Sequence, residues 1–122
     1  MSEKKLVHLI VPPTGATQIE VGELTLPAMQ TIVGGWVEEI ILDDEVVMLC
    51  NEEGKHIGLP YNHRATRIVE EETKNRMINL GSGIQGTVIF LGTCDYEGEY
   101  RTLSGLFINR HALVLMEGTT EA

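Results

Sequence analysis

Apolar residues recur along this chain in short runs separated by glycine, proline and acidic turns, and the period of each run predicts its structure. "LVHLIV" (6–11) is almost wholly apolar and ends at "PPTG", which predicts a first strand. His8 interrupts that run and is read as a packed or edge residue rather than a ligand. "TQIEV" (17–21) alternates and predicts a second short strand. In "GELTLPAMQTIVGG", Thr25 is placed to cap a helix with Pro27 in its first turn, where a missing N–H costs nothing. Leu26, Met29, Ile32 and Val33 then share one face, and Gly34 and Gly35 close the helix.

"WVEEIIL" (36–42) and "EVVMLCN" (45–51), joined at Asp43 and Asp44, predict an antiparallel hairpin. A turn at "NEEGK" follows, then "HIGLP" as a short third strand. Asn62 can cap a helix whose formers run through Glu72, with Ile68 and Val69 as its apolar pair. "GTVIFLG" (86–92) is a continuous β-branched and aromatic run between glycines, which suits a strand buried on both faces. "CDYEGEY" is a polar loop. The last stretch predicts a helix from Ser104 with Leu106, Phe107, Arg110 and Leu113 near one face, although "ALVLM" also suits a strand. The expected fold is α+β: a small mixed, mainly antiparallel sheet with two or three helices. It forms a single domain over residues 1–122, with 1–5 and 118–122 as tails.

Composition narrows the classes of function. With 122 residues, 43% hydrophobic and 22% charged, the chain has the balance of a folded domain. Its formal net charge of −9 disfavours direct binding to nucleic acid or to an anionic membrane. No apolar run approaches the roughly 20 residues that span a bilayer, and the N-terminal apolar segment is too short for a signal peptide, so a cytoplasmic protein is expected. Cys50 and Cys94 lack metal or redox spacing and are read as buried thiols. His8, His56, His63 and His111 form no metal motif, and no serine sits in a nucleophile elbow. Glu38/Glu39 and Asp43/Asp44 point to opposite faces or sit in a turn, so they make no acid/base couple. Catalysis is therefore not expected, and neither a metal nor a cofactor is implied.

"GSGIQG" (81–86) has the glycine spacing of a dinucleotide fingerprint. That fingerprint needs a strand before it and a helix after it. Here the order is reversed, so the glycines are read as a tight turn into a central strand, with Ser82 and the backbone N–H groups around Gly83 at a pocket rim if Arg64 is near.

"VGGWVEEI", a hairpin, "NEEGKHIGLPYN" and "GTVIFLG", over roughly residues 17–93, resemble a domain of unknown function found widely in proteins of bacteriophages, plasmids and their hosts. Gly34, Gly35 and Trp36 occupy the family's helix-to-strand junction, Asn51 to Lys55 its polar turn, and Gly58 to Asn62 its exit from the hairpin. Beyond Gly92 no family pattern is recognised. The resemblance implies a phage or mobile-element setting, and with it a counter-defence role of one of two kinds.

One is a binding module that sequesters a small nucleotide-like immune signal without turning it over. It would need an aromatic face, guanidinium or backbone N–H groups for phosphate, and amides for base edges. Trp36, Tyr61, Asn62, His63, Arg64 and Arg67 offer these, with Arg101 and Arg110 as weaker candidates. Trp36 also suits core packing, and Arg64 and Arg67 also suit surface pairing with Glu70 or Glu71. The other kind is an acidic inhibitor of a host defence protein, of anti-CRISPR or anti-restriction type, mimicking DNA through Glu38, Asp43, Asp44, Glu52 and Glu53. The apolar words "GLFI" and "ALVLM" exceed what one small core absorbs and predict a homo-oligomer.

Overall fold

The computed structural model describes residues 6–74 and 83–117. The proposed tails, Ser82 and the segment 75–80 lie outside the described residues. Five strands form one sheet: β1 (Leu6–Val11), β2 (Gln18–Gly22), β3 (Val37–Ile41), β4 (Val46–Asn51) and β5 (Val88–Gly92), in the order β2-β1-β5-β4-β3. Every pairing is antiparallel, so the mixed sheet expected from the sequence is antiparallel throughout the described residues. Among the described residues four helices join it: α1 (Leu26–Val33), α2 (His63–Thr73), α3 (Gly105–Arg110) and α4 (Ala112–Met116).

Local chemistry sets these boundaries. The Thr25 hydroxyl accepts from Ala28 N–H, and Gly34 in the left-handed region ends α1. Asp43 makes the β3–β4 turn by accepting from the Glu45 and Val46 N–H groups at 2.7 and 2.8 Å. Asn62 caps α2 through Ala65 N–H at 3.0 Å. "HIGLP" is no strand: residues 52–58 form turns, and only Tyr61 makes an isolated bridge, to Gln85. The C-terminal run is helical but breaks at His111, and its expected apolar face is split. Phe107 is buried, while Leu106 and Leu113 are exposed. In α1, Leu26 is likewise exposed, leaving Met29 and Val33 as the buried pair.

Central β4 and β5 are buried along their whole length because helices cover both faces of the sheet. On one face Val46, Met48, Val88, Phe90 and Leu9 meet Ala65, Ile68 and Val69 of α2, Phe107 of α3, and Val114 and Leu115 of α4. On the other, Val47, Leu49, Ile89 and Leu91 meet Met29 and Val33 of α1. Cys50 is buried as expected, but Cys94 is exposed, since it sits beyond the end of β5 in the polar loop.

Arg64 corrects the sequence reading most sharply. It is 4% exposed, and its two terminal nitrogens donate to five oxygens: the carbonyls of Pro12, Gly15, Leu115 and Glu117 and the Thr17 hydroxyl. Burial pushes its pKa below the ordinary arginine value, against the opposing pull of Glu117. The guanidinium thus ties the β1–β2 connection and the end of α4 to α2, and it pairs with neither Glu70 nor Glu71. A second polar cluster sits at the other end of α2. The Glu72 carboxylate accepts from Arg110 Nε at 2.8 Å and pairs with Nε2 of buried His111. His111 Nδ1 lies 3.4 Å from Glu71 Oε1 without a hydrogen bond. Burial raises the Glu72 pKa, but hydrogen bonds and charge from Arg110 and His111 outweigh it and leave the carboxyl below its usual value.

Arg64→Ala is expected to lower stability by about 3 kcal/mol or more, a fall in Tm of roughly 10 °C, because it removes five hydrogen bonds from a charged donor and leaves the buried Leu115 carbonyl without that partner. Arg64→Lys should rescue little of this, having three donors and no planar fork. A Tm within a degree or two of the parent would refute the tie. A carboxyl whose folded pKa is depressed adds stability above its unfolded pKa and loses it as pH falls through the folded value. Thermal melts from neutral pH to about pH 3 should therefore show the parent losing stability below roughly pH 4.5, with a shallower slope in Glu72→Gln.

Candidate functional site

Three segments meet at the end of the sheet where β3 begins, β4 ends and the chain turns into β5. Asn51, the last residue of β4, joins the first two. Its amide donates to the Val33 carbonyl at 3.1 Å, and its carbonyl oxygen accepts from Glu53 N–H at 2.7 Å. Gly35 lies against it so closely that a Cβ there would stand 2.9 Å from Asn51 Nδ2. The Glu52 N–H then donates to the Trp36 carbonyl at 2.8 Å. The helix-to-strand junction and the polar turn are thus one hydrogen-bonded unit.

The third segment is the glycine-rich turn. Gly83 has φ +95°, and a Cβ there would lie 2.5 Å from the Tyr61 ring, so it meets both conditions that favour glycine. The Asn62 N–H donates to the Ile84 carbonyl, Ile84 N–H donates to the Thr66 hydroxyl, and the Gln85 amide donates to the Leu59 carbonyl at 2.8 Å. The turn precedes β5, as the reversed element order predicted, and it packs on Tyr61 and Thr66 rather than on Arg64.

Between these segments opens a cleft of about 300 Å³. Glu38 and Ile40 of β3 and Cys50 of β4 form one wall; the turn contributes Glu52, Lys55 and His56, and the glycine-rich turn contributes Gly83 to Gln85. Burial first, then the Glu38 carboxylate, against Lys55, push the Cys50 thiol up to about 12, so it stays protonated at neutral pH. Among the described residues of the lining, two carboxylates stand against one ammonium. Among the described residues no group of three metal-ligating side chains converges.

None of the eight residues singled out from the sequence lines this cleft, although Trp36 and Tyr61 abut its walls. Trp36 is 67% exposed, which rules out the core reading. Tyr61 is half exposed, its ring centroid 6.3 Å from that of exposed His63. Asn62 is fully buried and structural. Arg67 pairs with Glu117 at 3.3 Å rather than with Glu70 or Glu71. Arg110 pairs with Glu72 and covers Phe107. Arg101 lies past the far end of β5, its guanidinium 3.5 Å from the Thr93 hydroxyl. The lining residues Glu38, Glu52, Lys55 and His56 were legible in one respect: they belong to the short words that carried the family resemblance. The acidic pairs behave as expected, with Glu38 and Glu39 on opposite faces of β3.

Among the described residues no helix is long and apolar enough to cross a membrane. No curated protein and no solved structure matches the chain. The family described as Domain of unknown function (DUF3846) matches residues 5–113, which extends past Gly92 and takes in the whole sheet, α3 and both sides of the cleft. By that match the chain belongs to the DUF3846 family.

Proposed function

We propose that this protein is a non-catalytic binding module that holds a small nucleotide-like molecule in the cleft between β3, the 52–58 turn and the glycine-rich turn. The observation that carries this reading is the convergence of three separately folded segments on one cavity of about 300 Å³. That volume is at the lower end of ligand sites, roughly 300–1,000 Å³, and suits a single nucleoside or mononucleotide. The lining supplies carboxylates, an ammonium and an imidazole, groups that read base edges and ribose hydroxyls. Exposed Trp36 and Tyr61 belong to segments bonded to or packed on the cleft walls, and they are the aromatic side chains proposed to stack on a base. The protonated Cys50 thiol offers no nucleophile.

The burial of Arg64 changes the ligand from the one expected at first. Without that guanidinium, and with Glu38 and Glu52 in the lining, the site favours a base and ribose with few charges, and any phosphate stays at the open mouth. In the phage or mobile-element setting implied by the resemblance, the role is sequestration of an immune signal in the host cytoplasm. A second reading has its own observation. Glu38, Glu39, Asp44, Glu52 and Glu53 lie on the outer strand β3 and at its two ends, an acidic margin fit for the basic groove of a host defence protein.

Calorimetry against nucleosides, mononucleotides, cyclic nucleotides and ADP-ribose separates the two. Binding is expected, with a loss of roughly tenfold, about 1.4 kcal/mol, in each of Trp36→Ala, His56→Ala and Glu38→Gln. Tm should remain near the parent in all three, since these side chains are exposed. Absence of binding across the panel, or equal binding by the three variants, would overturn the cleft reading. Capture of a basic protein whose affinity falls steeply with salt would support the second.

A further inference from the structure

The two outer strands of the sheet are protected very differently. On β3, Glu38 and Glu39 place an exposed carboxylate on each face. That arrangement discourages another strand from pairing there. On β2 the five residues "QIEVG" carry one charge, no lysine and no proline, and four of the five are exposed.

Backbone directions on β2 follow from its neighbour. Val7 turns both backbone groups away from β2: its N–H donates to the Thr102 hydroxyl and its carbonyl accepts from Leu103 N–H, each at 2.8 Å. In an antiparallel ladder the direction alternates along the strand, so Leu9 points the same way as Val7. Their partners across the β1–β2 pair are Val21 and Ile19. These two residues therefore point their N–H and carbonyl groups outward, to an edge that no described strand covers. Their side chains, 62% and 60% exposed, lie on the face that carries α3 and α4. Between Ile19 and those helices runs an apolar groove of about 230 Å³, floored by Leu9 and Leu115 and flanked by Ile108 and Met116. Met116 is itself 63% exposed.

We propose that β2 is a homodimerisation edge, pairing antiparallel with β2 of a second copy about a twofold axis through Ile19. The strand is self-complementary in one register, which selects a second copy as the occupant, and charge picks that register. Centred on Ile19, the pairing sets each Glu20 opposite Gln18 of the other copy, an amide facing a carboxylate. Centred on Glu20 it would oppose two carboxylates, and centred on Val21 it would oppose Ile19 to Glu23. The Ile19 register also sets Val21 across from Thr17 on the apolar face and brings the two grooves together at the axis. The two sheets join into one of ten strands, and the exposed apolar side chains of Ile19, Val21 and Met116 become the centre of the interface. The cleft lies on the β3 side of the sheet, remote from this edge, so dimerisation leaves it open.

Sedimentation velocity on the full chain in the micromolar range should show a dimer. Ile19→Lys should raise its dissociation constant by roughly 100-fold, because each substitution occurs twice at the axis, with unchanged circular dichroism. The register has a separate readout in a Cys94→Ser background. Opposed Cα atoms of a hydrogen-bonded pair are about 5.5 Å apart, within disulfide reach, so Ile19→Cys should cross-link under mild oxidation and Val21→Cys should not. A monomer throughout the range, a dimer indifferent to Ile19→Lys, or equal cross-linking by Val21→Cys would each overturn the proposal.

Discussion

Asn62 is the residue through which the sheet, the long helix and the glycine-rich turn are joined. It is fully buried, and its amide donates to the carbonyls of Val11 at 2.9 Å and Gly86 at 2.8 Å, which belong to β1 and to the entry of β5. Its side-chain oxygen caps α2, its N–H donates to the Ile84 carbonyl, and its own carbonyl accepts from the Thr66 hydroxyl. Each is a backbone or hydroxyl group that would otherwise be buried unpaired, at about 1–3 kcal/mol apiece. The side-chain bonds to Val11, Gly86 and Ala65 are beyond any apolar residue, and an aspartate would bring a charge and lose the two donors. The position of the cleft follows from this junction, because the wall formed by Gly83 to Gln85 is hung on residues 59 to 66.

Arg64 extends the same junction by two residues. Asn62 fastens the helix start to the ends of β1 and β5, and Arg64 fastens it to the β1–β2 connection and to the end of α4. The two polar side chains replace an apolar seam at a place where three loops cross and many carbonyls must be satisfied at once. A planar guanidinium answers that geometry, since its donors fan out in fixed directions.

Local patterns in the sequence carried most of the fold. The Thr25 and Asn62 caps, the Gly34 stop, the β3–β4 hairpin and the buried run of β5 all arise from contacts within a few residues, and each was legible. What was not legible depends on distant partners. The burial of Arg64 comes from carbonyls about fifty residues away on either side, and nothing in "NHRAT" distinguishes it from a solvated arginine. The exposure of Trp36 depends on α1 ending where it does and on the turn beyond β4. The failed strand at "HIGLP" has a like cause: Leu59 and Gln85 pair through a side chain, not through a ladder. In the cleft, the residue types were individually plain, but their convergence rests on Asn51, whose contacts reach back to Val33.

The distribution of positive charge constrains what the cleft can recognise. The chain carries 18 acidic residues against nine basic ones, and among the described arginines three are already paired within the fold. Arg64 holds backbone carbonyls, Arg67 holds Glu117, and Arg110 holds Glu72, while Arg101 stands at the opposite end of β5 from the cleft. Among the described lining residues, a ligand with several phosphates would thus meet Glu38 and Glu52 with one ammonium, Lys55. Like charges brought together in a partly enclosed site cost more than in open water. A ligand held there as proposed would rely on hydrogen bonds to neutral polar edges, and each negative charge it carried inward would weaken its binding.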